Sequence, residues 1–342
     1  MEYREDTGST DIRNDDRASY SKAKQKSGRA GTWLAVSAAL NIVLAMSLTL
    51  SLFGKMPALG MDNPSRPPWT GASSSASIVQ GENEASAVDL LHPLDGYSTG
   101  LLYGDTGPEL VEAGAIDLAA LRELYQQSGA PLTAVQEHIL AKRSDEEIIF
   151  QRDNARFLLH LLWAFGLTNQ NTVLTEGMMW TSSNGAIERF ASTGGWTLSA
   201  KPVTELYASA PLVKLTPGQQ ERLEAVASNV YRPCCNNPTS FPDCNHGIAM
   251  LGLLQLLAAQ DATESEMYRA AKYANAFWFP AQVAELAVFF KAVLDQPYDE
   301  VDPRMAVGPE AFSGSGFASV HRWLGENGYL GQSPGQGSSC GV

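Results

Sequence analysis

The chain has 342 residues, a formal net charge of −13 at pH 7 and a hydrophobic content of 44%. This length and this apolar share allow a sizeable core, which excludes a chain that is disordered throughout. The acidic balance argues against a nucleic-acid partner, because phosphate backbones are bound by clustered lysines and arginines.

An uncharged apolar run, WLAVSAALNIVLAMSLTLSLF, occupies residues 33–53. About 20 such residues in a helix cross the ~30 Å hydrocarbon layer, so the sequence predicts a single transmembrane helix over residues 32–54. Four basic residues lie within positions 22–29 of the preceding segment, 1–31. The positive-inside rule therefore places this segment in the cytoplasm and the bulk of the chain outside it. A cleaved signal peptide has an apolar stretch of only about 7–15 residues, so a retained anchor in the cell membrane is favoured.

The region after the apolar run is rich in Pro, Ser, Gly and Ala, which predicts a flexible linker over residues 55–88. A folded extracytoplasmic domain is expected over residues 89–331, followed by a flexible tail, 332–342. The chain contains no Asn-X-Ser/Thr sequon with X other than Pro. This composition fits a bacterial envelope protein, in the periplasm or at the cell surface, whose partner would be another envelope protein.

Helix starts in the expected domain are marked by Ser or Thr followed three residues later by Glu or Gln, the capping-box pattern. Ser144 with Glu147 is expected to begin a long amphipathic helix that Gly166 ends. Thr216 and Thr263 begin the same pattern. Further helices are expected after Asp117, after Pro280 and over residues 315–328.

Alternating strand patterns are scarce. The stretch of residues 189–207 is the one expected hairpin, with its turn at Gly194 and Gly195. His160 lies in the apolar stripe of the helix expected to begin at Ser144, so we interpret it as a core residue without a functional role. The sequence thus predicts a mainly α fold, with an N-terminal transmembrane helix followed by a helical extracytoplasmic domain.

The stretch YRPCCNNPTSFPDCNHG gathers Cys234, Cys235, Cys244 and His246 just before an apolar run, residues 248–259. The apolar run predicts a helix that is buried on nearly all sides. Cys244 and His246 then lie at the start of this helix, at the positive end of its dipole. That position favours a thiolate, the form of cysteine that binds metals and attacks disulfides.

Asp243 or Asn245 is expected to cap this buried helix. In extended backbone, neighbouring side chains point to opposite faces. We therefore expect only one of the adjacent cysteines, Cys234 or Cys235, to face Cys244, and the other to point elsewhere, for example toward Cys340 in the tail.

Thiolate and imidazole are the ligands that Cu(I) and Zn(II) prefer. The stretch therefore predicts a site for a soft transition metal, copper or zinc. Met250 lies four residues after His246, on the same helical face, and could add a thioether ligand. The predicted metal ligands are Cys234, Cys235, Cys244, His246 and Met250.

Two other interpretations of the cysteines stay open. Outside the cytoplasm an even number of cysteines commonly forms structural disulfides, and a bridge from Cys234 or Cys235 to Cys244 would close about ten residues and contribute roughly 2–3 kcal/mol. The same residues could instead form a thiol-disulfide redox protein, in which Cys244 attacks and Cys234 or Cys235 resolves. The chain carries none of the common hydrolase or nucleotide motifs, so the sequence assigns no catalytic residue.

Overall fold

The computed structural model describes Pro93 and residues 96–330. The predicted cytoplasmic segment 1–31, membrane helix 32–54, linker 55–88 and tail 332–342 lie outside the described residues. The described part is mainly helical, as predicted.

A two-stranded antiparallel sheet begins the described part. Strand β1 (Tyr97–Gly104) pairs with β2 (Ser144–Phe150). Three helices connect the two strands: α1 (Thr106–Ala113), α2 (Leu118–Gln127) and α3 (Ala134–Ala141). The side chain of Asp117 accepts hydrogen bonds at the start of α2, so the helix start predicted there is confirmed.

The helix predicted to begin at Ser144 is wrong, because this segment is strand β2. Glu147 does not cap a helix; its carboxylate accepts a hydrogen bond from the backbone N–H of Gly100 at 2.6 Å on the other strand. Ile148 and Phe150 alternate toward the core, both with no exposed surface. The partner strand therefore overrides the local capping pattern.

The next helix, α4, spans Ala155–Thr168 and contains His160, which is only 2% exposed. The His160 Nδ1 atom lies 3.1 Å from the hydroxyl oxygen of Tyr125, and burial lowers the pKa of the imidazole to about 4. The interpretation of His160 as a core residue is confirmed.

Short helical turns follow: α5 (Thr172–Thr175), α6 (Met178–Ser183), a 3₁₀ turn (Ile187–Arg189), α7 (Ala191–Gly194) and α8 (Val203–Leu206). The hairpin predicted over residues 189–207 is wrong. A Cβ atom on Gly194 would lie 2.1 Å from the carbonyl oxygen of Glu188, and one on Gly195 would lie 2.3 Å from that of Ala191. These glycines therefore serve close backbone packing in a helical turn, where a hairpin turn was expected.

Longer helices form the second half: α9 (Pro217–Ala227), α10 (Asn245–Ala259), α11 (Glu264–Trp278) and α12 (Pro280–Leu294). The capping boxes predicted at Thr216 and Thr263 are both present. Three further helices complete the described part: α13 (Pro303–Ala306), α14 (Pro309–Phe312) and α15 (Gly314–Glu326).

Helices α4 and α10 pack against each other in the main core. A Cβ atom on Gly166 would lie 2.1 Å from the carbonyl oxygen of Ile248, and one on Gly252 would lie 2.5 Å from that of Leu162. Gly166 therefore does not end its helix, which continues to Thr168. It lets the two backbones approach each other, and α10 is buried along nearly its whole length, as predicted.

Among the described residues, no single helix combines the length and hydropathy needed to cross a membrane. Helices α11 and α12 meet those criteria only when taken together, and they are bent by 119° at their junction.

Candidate metal centre

The loop between α9 and α10 carries the cysteines, and its backbone is fixed to the end of α9. The backbone N–H and the hydroxyl of Thr239 both donate to the carbonyl oxygen of Val230, at 2.8 and 2.9 Å. The N–H of Ser240 donates to the carbonyl oxygen of Ala227 at 2.9 Å. Helix α9 ends at Ala227, so the segment YRPCC lies in this loop, beyond the end of the helix.

The two adjacent cysteines lie in a turn that begins at Arg232. The N–H of Cys235 points to the carbonyl oxygen of Arg232 at 3.5 Å, with Pro233 at the second position of the turn. The expectation that the adjacent thiols diverge is wrong, because the backbone turns here and is not extended. Both thiols reach Cys244, and the three Sγ atoms lie within 4.8 Å of one another.

Cys244 itself caps helix α10. Its backbone is extended, and its Sγ atom accepts a hydrogen bond from the N–H of Gly247 at 3.4 Å. The cap expected at Asp243 or Asn245 is therefore one residue away from the true one. The prediction that Cys244 lies at the positive end of the helix dipole is confirmed.

Arg232 is the residue that sequence reasoning missed. It is 1% exposed, and its Nε atom donates to the Sγ atom of Cys244 at 2.9 Å. Its Nη atoms donate to the carbonyl oxygens of Asn237 and Phe241, at 2.9 and 3.2 Å, and to the Asp243 carboxylate at 2.5 Å. A buried positive charge therefore faces one of the three sulfurs and neutralises one carboxylate.

Gly247 makes room for this guanidinium group. A Cβ atom at Gly247 would lie 2.5 Å from the Cζ atom of Arg232, closer than any real contact. The only sequence signals for the arrangement are an arginine two residues before the cysteine pair and a glycine in the first turn of α10. Neither one reveals that the two residues meet.

The pKa values of the three thiols are shifted in different directions. The pKa of the Cys244 thiol is held well below its usual range by hydrogen bonds from Cys234 and Cys235, and the positive Arg232 adds to this effect. The pKa of Cys234 is raised by its hydrogen bonds to the other two sulfurs and by burial. For Cys235, the contact with Cys234 lowers the pKa, but the hydrogen bond to Cys244 and burial outweigh it and raise the pKa to about 11. Negative charge is therefore stabilised more strongly on the Cys244 sulfur than on the other two.

The other two predicted ligands, His246 and Met250, lie on helix α10. The His246 ring contacts the Phe279 ring at 4.4 Å between centroids, and burial lowers the pKa of this imidazole to about 4. Its Nδ1 atom is buried without a hydrogen-bond partner in the described part of the chain. Met250 is 1% exposed in the core. The structure thus brings together the three cysteines and places His246 in an aromatic environment.

The geometry of the sulfurs suits a single ion. The Sγ atoms of Cys234 and Cys244 are 3.5 Å apart, and none of the three described cysteines is in a disulfide. Two sulfurs that bind one zinc ion at ~2.3 Å in tetrahedral geometry lie about 3.8 Å apart. Within residues 96–330 the group has no fourth member among His, Cys, Asp and Glu side chains. Cys234, Cys235 and Cys244 could therefore hold a metal ion.

Comparison of the chain with protein families, with curated proteins and with solved structures finds no match.

Proposed function

We propose that Cys234, Cys235 and Cys244 bind one soft transition metal ion, with Cu(I) as the first candidate and Zn(II) as the second. The observation that carries the proposal is the convergence of three sulfurs, from two separate segments, to within 4.8 Å of one another. Thiolates are the ligands that select such metals over harder cations.

Cu(I) is favoured because the site offers three soft ligands. Structural zinc sites are closed by four protein ligands, and catalytic zinc keeps a water molecule in its fourth position. A zinc ion at this site would therefore need a water molecule or a ligand from a partner. Cu(I) is satisfied by fewer ligands, and thiolate is its preferred donor.

The surroundings of Cys244 support the proposal. The guanidinium of Arg232 and the N–H of Gly247 both donate to its sulfur, at 2.9 and 3.4 Å. Hydrogen bonds of this kind orient a metal ligand and adjust its affinity. The positive charge of Arg232 also offsets the negative charge that accumulates when the other two thiols lose their protons to the metal.

The proposed location is the outer face of a bacterial cell membrane. The apolar run over residues 32–54 would anchor the chain, and the acidic domain outside would attract cations and exchange them with an envelope partner. Protease treatment of spheroplasts tests this topology, because the protease digests only what lies outside the cytoplasmic membrane. A domain that survives the treatment intact in spheroplasts but is digested after lysis would contradict the proposed orientation.

Anaerobic titration of the reduced protein with Cu(I), in competition with a chromophoric chelator, tests the metal site. We expect one ion per chain, confirmed by native mass spectrometry. The variant Cys244→Ser should lose affinity by about 100-fold or more. Cys340→Ser is the matched control, because it removes a cysteine that is not one of the three proposed ligands, and it should bind as the wild type does.

Two more variants ask whether the remaining predicted ligands take part. His246→Gln and Met250→Leu should keep the Cu(I) affinity within a few-fold of the wild type if the three sulfurs suffice. Equal loss of affinity in the Cys244 and Cys340 variants, or uptake far below one ion per chain in the wild type, would remove the proposal.

A further inference from the structure

We infer that Cys234 and Cys244 form a redox pair. A small disulfide compound oxidises this pair to an intramolecular disulfide, and the metal site is then lost. The consequence for the metal rests on the proposed function; the pairing itself does not. Their two sulfurs are already in contact at 3.5 Å. A disulfide has a sulfur–sulfur length of ~2.05 Å, so the sulfurs need to approach by only about 1.5 Å.

The third thiol, Cys235, also reaches Cys244, but it has further partners as well. The thiol of Cys235 contacts the Asp243 carboxylate at 3.6 Å and the carbonyl oxygen of Asn237 at 3.9 Å. A bridge between the neighbours Cys234 and Cys235 would close a very small strained ring. The geometry therefore selects Cys234 as the residue that joins Cys244.

Cys244 is the sulfur best placed to react first. Arg232 and the N–H of Gly247 both donate to it and stabilise negative charge there. The Cys244 sulfur attacks one sulfur of a compound RSSR, a bond forms between them, and RS⁻ leaves. The Cys234 sulfur then attacks the Cys244 sulfur, its proton is lost, and a second RS⁻ leaves. The protein pair is oxidised by two electrons, and one RSSR is reduced to two thiols.

The consequence is loss of the metal site. A disulfide between Cys234 and Cys244 removes two of the three sulfur ligands and leaves Cys235 alone, and a single thiolate does not hold a soft metal tightly. Oxidation would therefore release the ion, and reduction would restore the site. An extracytoplasmic location, where disulfides persist, would place this switch in an oxidising compartment.

The test uses the full-length, reduced protein with oxidised glutathione as the disulfide. After incubation, free thiols are alkylated and the linked peptides are identified by mass spectrometry. We expect a Cys234–Cys244 link as the main product, a fall in Cu(I) uptake from one ion per chain to nearly none, and full recovery after dithiothreitol. Cys235→Ser should still form the link. Cys234→Ser should stop at a glutathione adduct on Cys244.

The same reaction in denaturant is the control for proximity, because Cys235 should then link to Cys244 as readily as Cys234 does. A folded wild type that binds Cu(I) but forms no Cys234–Cys244 link overturns the inference and leaves the proposed function intact. Link formation with unchanged Cu(I) uptake overturns the switch. Link formation in a protein whose reduced form takes up no Cu(I) overturns the proposed function and the switch, while the pairing remains supported.

Discussion

Arg232 and Lys272 are both buried cations that hold a loop against a helix, yet they bind different kinds of partner. Each is 1% exposed. Arg232 donates to a thiol sulfur and a carboxylate as well as to backbone carbonyls. Lys272, on α11, donates to the carbonyl oxygens of Tyr298, Asp299 and Val301, at 2.5, 3.3 and 2.9 Å, and its Nζ atom lies 4.6 Å from the Tyr298 ring centroid.

Because their hydrogen-bond partners differ, the two buried cations have different roles. Neutral carbonyls satisfy the Lys272 ammonium and fix the path of the chain between α12 and α13, so this region has a structural role. Arg232 also fixes a loop, but its guanidinium donates to the sulfur of Cys244, the residue that caps α10. Lys272 is therefore an internal reference: changes there should affect stability alone, whereas changes at Arg232 should affect both stability and the chemistry of the cysteines.

The largest effect is expected from Arg232→Met. The free energy of unfolding should fall by about 3–5 kcal/mol, because the Asp243 carboxylate and two loop carbonyls lose their buried partner. Cu(I) affinity should fall about 10–100-fold, since Cys244 loses a hydrogen bond that stabilises its thiolate. Denaturant unfolding and chelator competition measure the two effects.

Arg122→Met is the matched control for this substitution. Arg122 pairs with Glu137 at 2.6 Å, but its side chain is 51% exposed, so its removal should leave the free energy of unfolding nearly unchanged. If the Arg232 variant is no less stable than the Arg122 variant, the buried charge does not have the role assigned to it.

Lys272→Met should reduce the free energy of unfolding by about 2–3 kcal/mol, because the carbonyls of the loop after α12 lose a charged donor. Cu(I) affinity should remain within twofold of the wild type. Lys291→Met is the control, since the Lys291–Asp295 pair is exposed and its loss should hardly change the free energy of unfolding. A large loss of Cu(I) affinity in the Lys272 variant would break the distinction between the two regions.

The parts of the fold that follow from local chemistry could be predicted from the sequence. Thr216 and Thr263 cap their helices because the cap and its partner lie three residues apart. Ser144 begins a similar pattern, but no helix forms there. Glu147 and its neighbours pair instead with the strand of residues 97–104. Gly166 was expected to end a helix because a glycine that permits helix crossing looks the same in sequence as one that ends a helix.

The same limit applies to the site. The clustering of Cys234, Cys235 and Cys244 was visible because the residues are close in the chain. Arg232 was not recognised, because an arginine normally prefers water, and its burial depends on acceptors between five and twelve residues away. Hydrogen bonds from a buried charge to such acceptors leave no periodic pattern in the sequence.

Gly247→Ala tests the approach of Arg232 to α10 with a smaller change. The added Cβ atom would displace the guanidinium, so Cu(I) affinity should fall about 10-fold and the free energy of unfolding by about 1–2 kcal/mol. Gly218→Ala is the control, because a Cβ atom there meets nothing within 4 Å and improves helix propensity. Unchanged Cu(I) affinity in the Gly247 variant would show that the arginine position does not matter to the sulfurs.

The smallest predicted effect is a dependence of stability on pH at Lys272. Burial lowers the pKa of this ammonium to about 8. In the unfolded chain a lysine has a pKa near ~10.4, so between these values the unfolded state binds a proton that the folded state has released. Stability then rises with pH across that window. Arg232 contributes no such trend, because its guanidinium stays charged at these pH values.

Unfolding of the wild type and of Lys272→Met in denaturant, at pH 7, 8 and 9, measures this dependence as a difference between the two proteins. Titrations shared by both proteins cancel in that difference. The wild type should gain about 1 kcal/mol relative to the variant from pH 7 to pH 9. If the difference in the free energy of unfolding stays constant from pH 7 to pH 9, the three carbonyls and the tyrosine ring keep Lys272 charged throughout. Both buried cations would then be permanent charges, and only the identity of their partners would distinguish them.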